Sequence, residues 1–136
     1  MPMLYVMQNG GNFVAKATPA EDIIYMACSI SKIIDSDHLF YFSDGHATDN
    51  LTSFYDKSMI NNLLQIINYN YIKADYWGGQ ENLNIKRKKQ AEFLVYNDLP
   101  VNSLSGFGCY NGRAKQKLVQ MGIHDDMVKV IPNAYY

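Results

Sequence analysis

Lys86-Arg87-Lys88-Lys89-Gln90-Ala91-Glu92-Phe93-Leu94-Val95 sets four consecutive cations directly against one carboxylate and an apolar run. Phe93, Leu94 and Val95 read as a strand with at least one buried face, so Glu92 stands at the mouth of that strand, where packing can hold a carboxylate rigidly beside a cleft. Rigid placement is what acid/base work asks of a side chain. The plainer reading of the same residues is a solvated basic face followed by a boundary glutamate, because short charged runs discriminate weakly. Just upstream, Ala74-Asp75-Tyr76-Trp77-Gly78-Gly79 places an aromatic pair before two glycines, a sharply turning loop that leads into the basic run. The chain is organised around this order: aromatic loop, basic segment, glutamate, buried strand.

Downstream, Asp98 to Ser103 is a turn, because Pro100 cannot continue a paired strand. Leu104 to Tyr110 reads as a glycine-interrupted strand whose glycines mark a bulge or close backbone packing. They complete neither G-x-x-x-x-G-K-[ST] nor G-x-G-x-x-G. Asn111 to Gly122 gives an amphipathic helix stopped by Gly122, and Val128 to Pro132 a last strand. Upstream, Leu39-Phe40-Tyr41-Phe42-Ser43 is an aromatic strand closed by Asp44-Gly45-His46-Ala47. His46 therefore sits just past a strand end, where functional side chains are often presented, although an isolated histidine is more often structural. Met59, Leu63, Ile66 and Ile67 recur at helical spacing within Ser58 to Ile67. Ile23 to Ile30 is apolar nearly throughout and fits either a helix or a buried strand; strand is favoured for Tyr25 to Ser29. Ser31 to His38 reads as polar punctuation. Thr18-Pro19-Ala20-Glu21-Asp22 resembles a helix start, from which a helix or a short turn should follow, and Met3 to Met7 reads as a strand.

The 136 residues have the length of one ordinary domain, and 48% hydrophobic residues suffice for one core. A net charge of -1 excludes a generic polycation, so any nucleic-acid contact has to come from local clustering, with Lys86 to Lys89 the main candidate. Cys28 and Cys109 are the only thiols and read as reduced cysteines of a cytoplasmic protein, with no signal-peptide pattern at the N-terminus. No run approaches the roughly 18 apolar residues that cross a bilayer.

Several blocks together resemble a known family. Pro2-Met3-Leu4-Tyr5, Asp22-Ile23-Ile24-Tyr25, Phe42-Ser43-Asp44-Gly45-His46-Ala47, Tyr76-Trp77, Arg87 to Val95 and Val130-Ile131-Pro132-Asn133-Ala134-Tyr135-Tyr136 fall in the order seen in DarT-type DNA ADP-ribosyltransferase toxins. The resemblance spans essentially the whole chain. It implies an α+β, ADP-ribosyltransferase-like fold, a curved, mostly antiparallel sheet with flanking helices, forming a single domain over 1–136. It further implies transfer of ADP-ribose from NAD, as co-substrate and without a metal, to a base of single-stranded DNA, typically thymine. By the same resemblance Glu92 takes the catalytic glutamate's place, His46 an active-site histidine's place and Met3 a position lining the NAD pocket. Tyr76 and Trp77, with Lys86, Arg87, Lys88 and Lys89, would meet the DNA. The chemistry suits these types: breaking the nicotinamide glycosidic bond builds oxocarbenium-like charge that a fixed carboxylate stabilises, stacked aromatics hold unpaired bases, and cations neutralise phosphates. Tyr76 and Trp77 equally suit the covering of a core.

The family carries a further N-terminal part, upstream of the Pro2-Met3-Leu4-Tyr5 block, that supplies much of the NAD-binding half, including an arginine. Arg87 and Arg113 are the only arginines here, and both lie outside that part. The expectation is an N-terminally truncated transferase fold that binds NAD poorly by itself. An exposed sheet edge would then favour a homo-oligomer, and a macrodomain antitoxin would be the partner in a toxin-antitoxin setting. Two other readings stand beside the enzyme: a non-catalytic single-stranded DNA or partner-binding remnant, and a metal-dependent nuclease with Asp44, His46 and Glu92 as ligands.

Overall fold

The computed structural model describes residues 2–11 and 14–135. In chain order the elements are α1 (Pro2–Asn9), β1 (Ile24–Cys28), α2 (Ile30–Ile34), β2 (Phe40–Ser43), β3 (Phe54–Tyr55), α3 (Leu63–Ile66), α4 (Tyr69–Lys73), α5 (Leu83–Lys89), β4 (Phe93–Val95), β5 (Leu104–Cys109), α6 (Gly112–Gln120) and β6 (Val128–Val130), joined by loops and short 3-10 turns. The class is α+β. The chain gathers into two compact units, residues 34–99 and the described residues of 2–33 with 100–135. The sheet comes as two three-stranded pieces among the described residues, one in each unit.

In the unit 34–99 the strand order is β3-β2-β4, antiparallel throughout. The alternation read from the sequence holds along β2: Phe40 and Phe42 are buried and Tyr41 faces out. Phe42 lies opposite Tyr55 on one side and Phe93 on the other, so inward-facing rings meet across the sheet. Phe40 stacks on Phe93 at 4.8 Å between centroids and Phe42 on Tyr55 at 5.4 Å. Such aromatic cross-strand pairs contribute beyond area burial alone. The helical segment expected over Ser58 to Ile67 begins as a 3-10 turn, Lys57–Asn62, because the Asp56 carboxylate caps it tightly by accepting the Ser58 N–H at 2.9 Å; it becomes α3 only from Leu63.

In the other unit β1 pairs antiparallel with β5, and β5 pairs parallel with β6. Cys109, Ala114, Leu118 and Val128 form one buried cluster, and Leu4, Ile23 and Tyr135 another. The helix expected over Asn111 to Gly122 is α6, capped by the Asn111 side chain, which accepts the Ala114 N–H at 2.9 Å, and followed by Gly122 at φ +96°. Burial pushes the Tyr135 phenol up to about 12, so it stays a donor, giving its proton to the Ile23 carbonyl at 2.9 Å.

Two local expectations are corrected and a third resolves to one of its alternatives. Met3 to Met7 lies in helix α1 and not in a strand: Pro2 opens a helix well at its first position, and Met and Leu, not branched at Cβ, favour it. Thr18 to Asp22 leads to the short turn and not to a longer helix, a 3-10 turn over Ala20–Asp22 with Pro19 at its N-cap and no side-chain cap. Ser31 to His38 is not all loop, because Ser31 to Ile34 belongs to α2, anchored by the buried Ile33. The thiols of Cys28 and Cys109 are both free. Among the described residues no helix is long and apolar enough to cross a membrane.

Candidate active site

β2 does not stop pairing at its last ladder residue. The Ser43 N–H donates to the Glu92 carbonyl at 2.9 Å, and the Glu92 N–H donates to Ser43 Oγ at 3.0 Å. The Ser43 hydroxyl, 0% exposed, in turn donates to the Gly45 carbonyl at 2.6 Å. One buried hydroxyl thus joins the strand that opens with Glu92 to the turn Asp44-Gly45-His46-Ala47. The Glu92 side chain is half-buried and lies toward that turn, its Oε1 accepting the Ala47 N–H at 3.3 Å. The carboxylate is therefore held beside the Asp-Gly-His corner by a backbone donor.

The corner also explains its own glycine. A Cβ on Gly45 would stand 2.5 Å from Arg87 Nη1 and 2.9 Å from Thr52 Oγ1. Only a residue without a side chain lets the turn approach α5 so closely.

His46 is fixed by three contacts at two of its atoms. Its backbone N–H donates to the Arg87 carbonyl at 3.0 Å, and its Nδ1 lies 2.7 Å from Thr48 Oγ1 and 3.3 Å from the Thr48 N–H. A backbone N–H can only donate, so Nδ1 is an acceptor, and the neutral ring carries its proton on Nε2. That proton is the one the ring can offer to a ligand.

The basic run is not one surface. It is the C-terminal turn of α5 and its cations point to different places. Arg87 is 7% exposed and forks onto Asp44, with Nη1 3.0 Å from Oδ1 and Nη2 3.5 Å from Oδ2, while Thr52 Oγ1 and Asn84 Oδ1 accept further bonds at 3.2 and 3.3 Å. Burial works to raise the Asp44 carboxyl, but the Arg87 hydrogen bond, the Ser53 N–H and the charges of Arg87 and Lys88 outweigh it and hold the carboxyl below its ordinary value. Lys89 donates from Nζ to the Ile72 and Ala74 carbonyls at 2.7 Å each and lies 5.0 Å from the Trp77 ring centroid. Lys88 stands 5.1 Å over the Tyr71 ring. Lys86 is exposed.

Of the residues picked from sequence, Glu92 and His46 meet at the same corner. Tyr76 (67% exposed) and half-buried Trp77 lie on the loop before α5. Arg87 and Lys89 depart from the expectation of phosphate contacts: the first is buried in an ion pair and the second spends two donors on backbone carbonyls, which a run of charges cannot reveal because it says nothing of direction. Met3 lies in α1, in the other unit, and its side chain falls outside what the structure describes. Ser43 was read only as the end of a strand, yet it links Glu92 to the corner. Its one sequence signal is a small hydroxyl closing an aromatic strand just before Asp-Gly. The nuclease reading loses its ligand set, since Asp44 is committed to Arg87 and no group of three or more His, Cys, Asp or Glu able to hold a metal occurs among the described residues.

The family model described as "ssDNA thymidine ADP-ribosyltransferase, DarT" matches residues 1–136. A DNA ADP-ribosyl transferase of Escherichia coli O127:H6 is 28% identical over 120 residues, 88% of this chain and 53% of that protein. The chain thus spans about half the length of that curated relative. Among solved structures, DarT of Thermus sp. 2.9 in complex with NAD+ superposes with a TM-score of 0.85 at 24% identity, covering 99% of this chain and 67% of that one. The same Thermus protein in complex with ADP-ribosylated ssDNA gives 0.85 at 24% identity, covering 99% and 64%. At that identity the likeness establishes a shared fold.

Proposed function

The chain belongs to the DarT family of single-stranded DNA thymidine ADP-ribosyltransferases, and on that premise we propose that it carries the glutamate-bearing part of an enzyme that moves ADP-ribose from NAD to a thymine base of single-stranded DNA. The observation that carries this reading is the Glu92 carboxylate, held against the Asp44–Ala47 turn by the Ala47 N–H at 3.3 Å. NAD supplies the ADP-ribosyl group and nicotinamide leaves. As the bond from the ribose anomeric carbon to nicotinamide breaks, positive character grows on the sugar, and a carboxylate already oriented there stabilises it without reorganising. The base nitrogen then bonds to that carbon, and its proton passes to Glu92, which is within the ordinary repertoire of a positioned carboxylate. His46, with Nε2 protonated, offers a donor from the same corner.

Tyr76 and Trp77 supply faces on which unpaired bases stack, at about 1–3 kcal/mol per base. Lys86 is the cation of α5 proposed to neutralise phosphate, with Lys88 beside it; Arg87 and Lys89 are assigned to architecture. Thermus DarT has been seen with NAD+ and with ADP-ribosylated ssDNA, and these are the ligands proposed here. NAD binding to these 136 residues alone should be weak, because Arg87 is turned onto Asp44 and Arg113 faces Glu21, so neither arginine is assigned to the pyrophosphate. A macrodomain antitoxin and a toxin-antitoxin role are proposed on the same family premise. A cytoplasmic location suits the two free thiols, and the unpaired outer edges of the short sheets offer a route to a homo-oligomer.

The decisive experiment incubates the chain with NAD and a thymine-containing oligonucleotide and weighs the product intact. Addition of ADP-ribose that Glu92→Ala abolishes supports the proposal. Binding of the oligonucleotide with no mass gain, even when the chain is extended to the length of its relatives, replaces it with the non-catalytic binder. Calorimetric titration showing tight NAD binding to residues 1–136 would overturn the expectation of weak binding.

A further inference from the structure

We propose that Lys89 is a positioning residue that fixes the Tyr76–Trp77 loop and takes no part in neutralising phosphate; this rests on the reading that the loop receives single-stranded DNA. Its Nζ stands 2.7 Å from both the Ile72 and the Ala74 carbonyl oxygens. Charge-assisted bonds of that length commit two of the three ammonium hydrogens. The remaining aspect of the ammonium faces the Trp77 ring, 5.0 Å from its centroid, within the range of a cation–π contact.

The three partners are not a random set. Ile72 belongs to the last turn of α4, whose final carbonyls have no acceptor role within the helix, and Ala74 is both its C-cap and the first residue of the loop that carries Tyr76 and Trp77. Lys89 is the last residue of α5, three positions before Glu92. A single ammonium therefore ties the end of α4, the base of the loop and the loop's indole to the segment that delivers the glutamate. The loop needs such a tie: Gly78 and Gly79 follow the aromatics, and Gly79 sits at φ +85°, a backbone that can readily adopt other states. Lys88, 5.1 Å over the Tyr71 ring, adds a parallel contact to α4. Among the described residues Lys86, one turn back and exposed, makes no comparable contact. A phosphate could recruit Lys89 only through its one uncommitted hydrogen, in competition with the Trp77 ring, or by breaking a carbonyl bond.

Trp77 is the one tryptophan of the chain, so its fluorescence reports this loop directly. The test compares wild type, Lys89→Met, Lys89→Arg and Lys86→Met, with far-UV circular dichroism as a fold check and Lys89→Gln as the replacement should the methionine variant not fold. Emission maximum and steady-state anisotropy of Trp77 are measured without DNA. Affinity for a thymine-containing oligonucleotide is then measured at several salt concentrations. Lys89→Met should shift the emission and lower the anisotropy, Lys89→Arg should restore both, and Lys86→Met should leave both unchanged. Lys89→Met should weaken binding about tenfold at fixed salt through lost stacking while keeping the slope of log K against log salt, whereas Lys86→Met should reduce that slope by about 0.7. Unchanged Trp77 emission in Lys89→Met, or a slope reduced as in Lys86→Met, would overturn the proposal. A wild-type chain that binds no oligonucleotide sinks the functional reading instead, and the emission measurement still decides whether the clamp exists.

Discussion

α5 and α6 carry similar charge and use it in opposite ways. In α6, Arg113, Lys115 and Lys117 reach acidic partners at the surface: Glu21 at 3.6 Å, Asp125 at 2.9 Å and Asp22 at 3.0 Å, with Lys117 and Asp22 both about half exposed. In α5, Arg87 and Lys89 turn inward, to the half-buried Asp44 carboxylate and to two backbone carbonyls. Ion pairs in water gain little, because solvent screens them and two long side chains must be held still. Inward cations are constrained differently: removing one leaves a partner that water cannot fully recover, so they tie distant segments together whether or not the pair itself adds stability. A basic helix can thus be a surface or a fastening, and the comparison says which of the two each one is.

The largest expected effect that could break the contrast is at Arg87. Arg87→Met strands Asp44 without its partner and should cost about 3–5 kcal/mol of unfolding free energy, read from urea titration; a cost no greater than that of a surface variant would show that burial does not separate the two helices. Next comes Gly45→Ala, which drives a methyl to within 2.5 Å of Arg87 Nη1. Overpacking of this kind costs about 1–3 kcal/mol, and thermal melting should register it unless the turn moves off α5.

A pH series sharpens the same point. The folded Asp44 carboxyl titrates below its ordinary value of 3.8, so its contribution is fully present above that value and is lost as pH falls from there through the folded pKa. Wild type and Asp44→Asn should accordingly differ most in stability above pH 3.8 and converge in stronger acid; a gap that stays constant across that range would remove the titrating carboxyl from the account. The smallest effect belongs to α6: Lys117→Met should change stability by less than about 0.5 kcal/mol after allowance for screening, and raising the salt concentration should erase what remains.

β2, β4, β5 and β6 were legible because aromatic and β-branched runs closed by Asp-Gly or Pro leave few alternatives, whereas β1 was one of two readings of its apolar run and the two-residue β3 was too short to show; the register Phe42 opposite Phe93 places Glu92 beside the corner as a matter of counting. The site's carboxylate was therefore readable from its neighbours. The fate of the four cations was not, because Asp44 lies 43 residues from Arg87 in the chain, and no local pattern announces a partner that folding brings from so far. The apolar stretch Met3 to Met7 misled for another reason: it is continuous, and without alternation a short run fits strand and helix equally until Pro2 and the good helix formers Met and Leu tip it to α1. The aromatic loop was visible, but the ammonium that holds it was hidden in what looked like a solvated run.

The hydroxyl of Ser43 has one more consequence. By standing in for a main-chain acceptor opposite the Glu92 amide, it lengthens the β2–β4 ladder by a rung, so the glutamate is the last member of a braced pair and not the first of a free loop. Opening that amide to solvent then requires peeling the strand ends apart, and its deuterium uptake should follow the slow clock of the sheet interior.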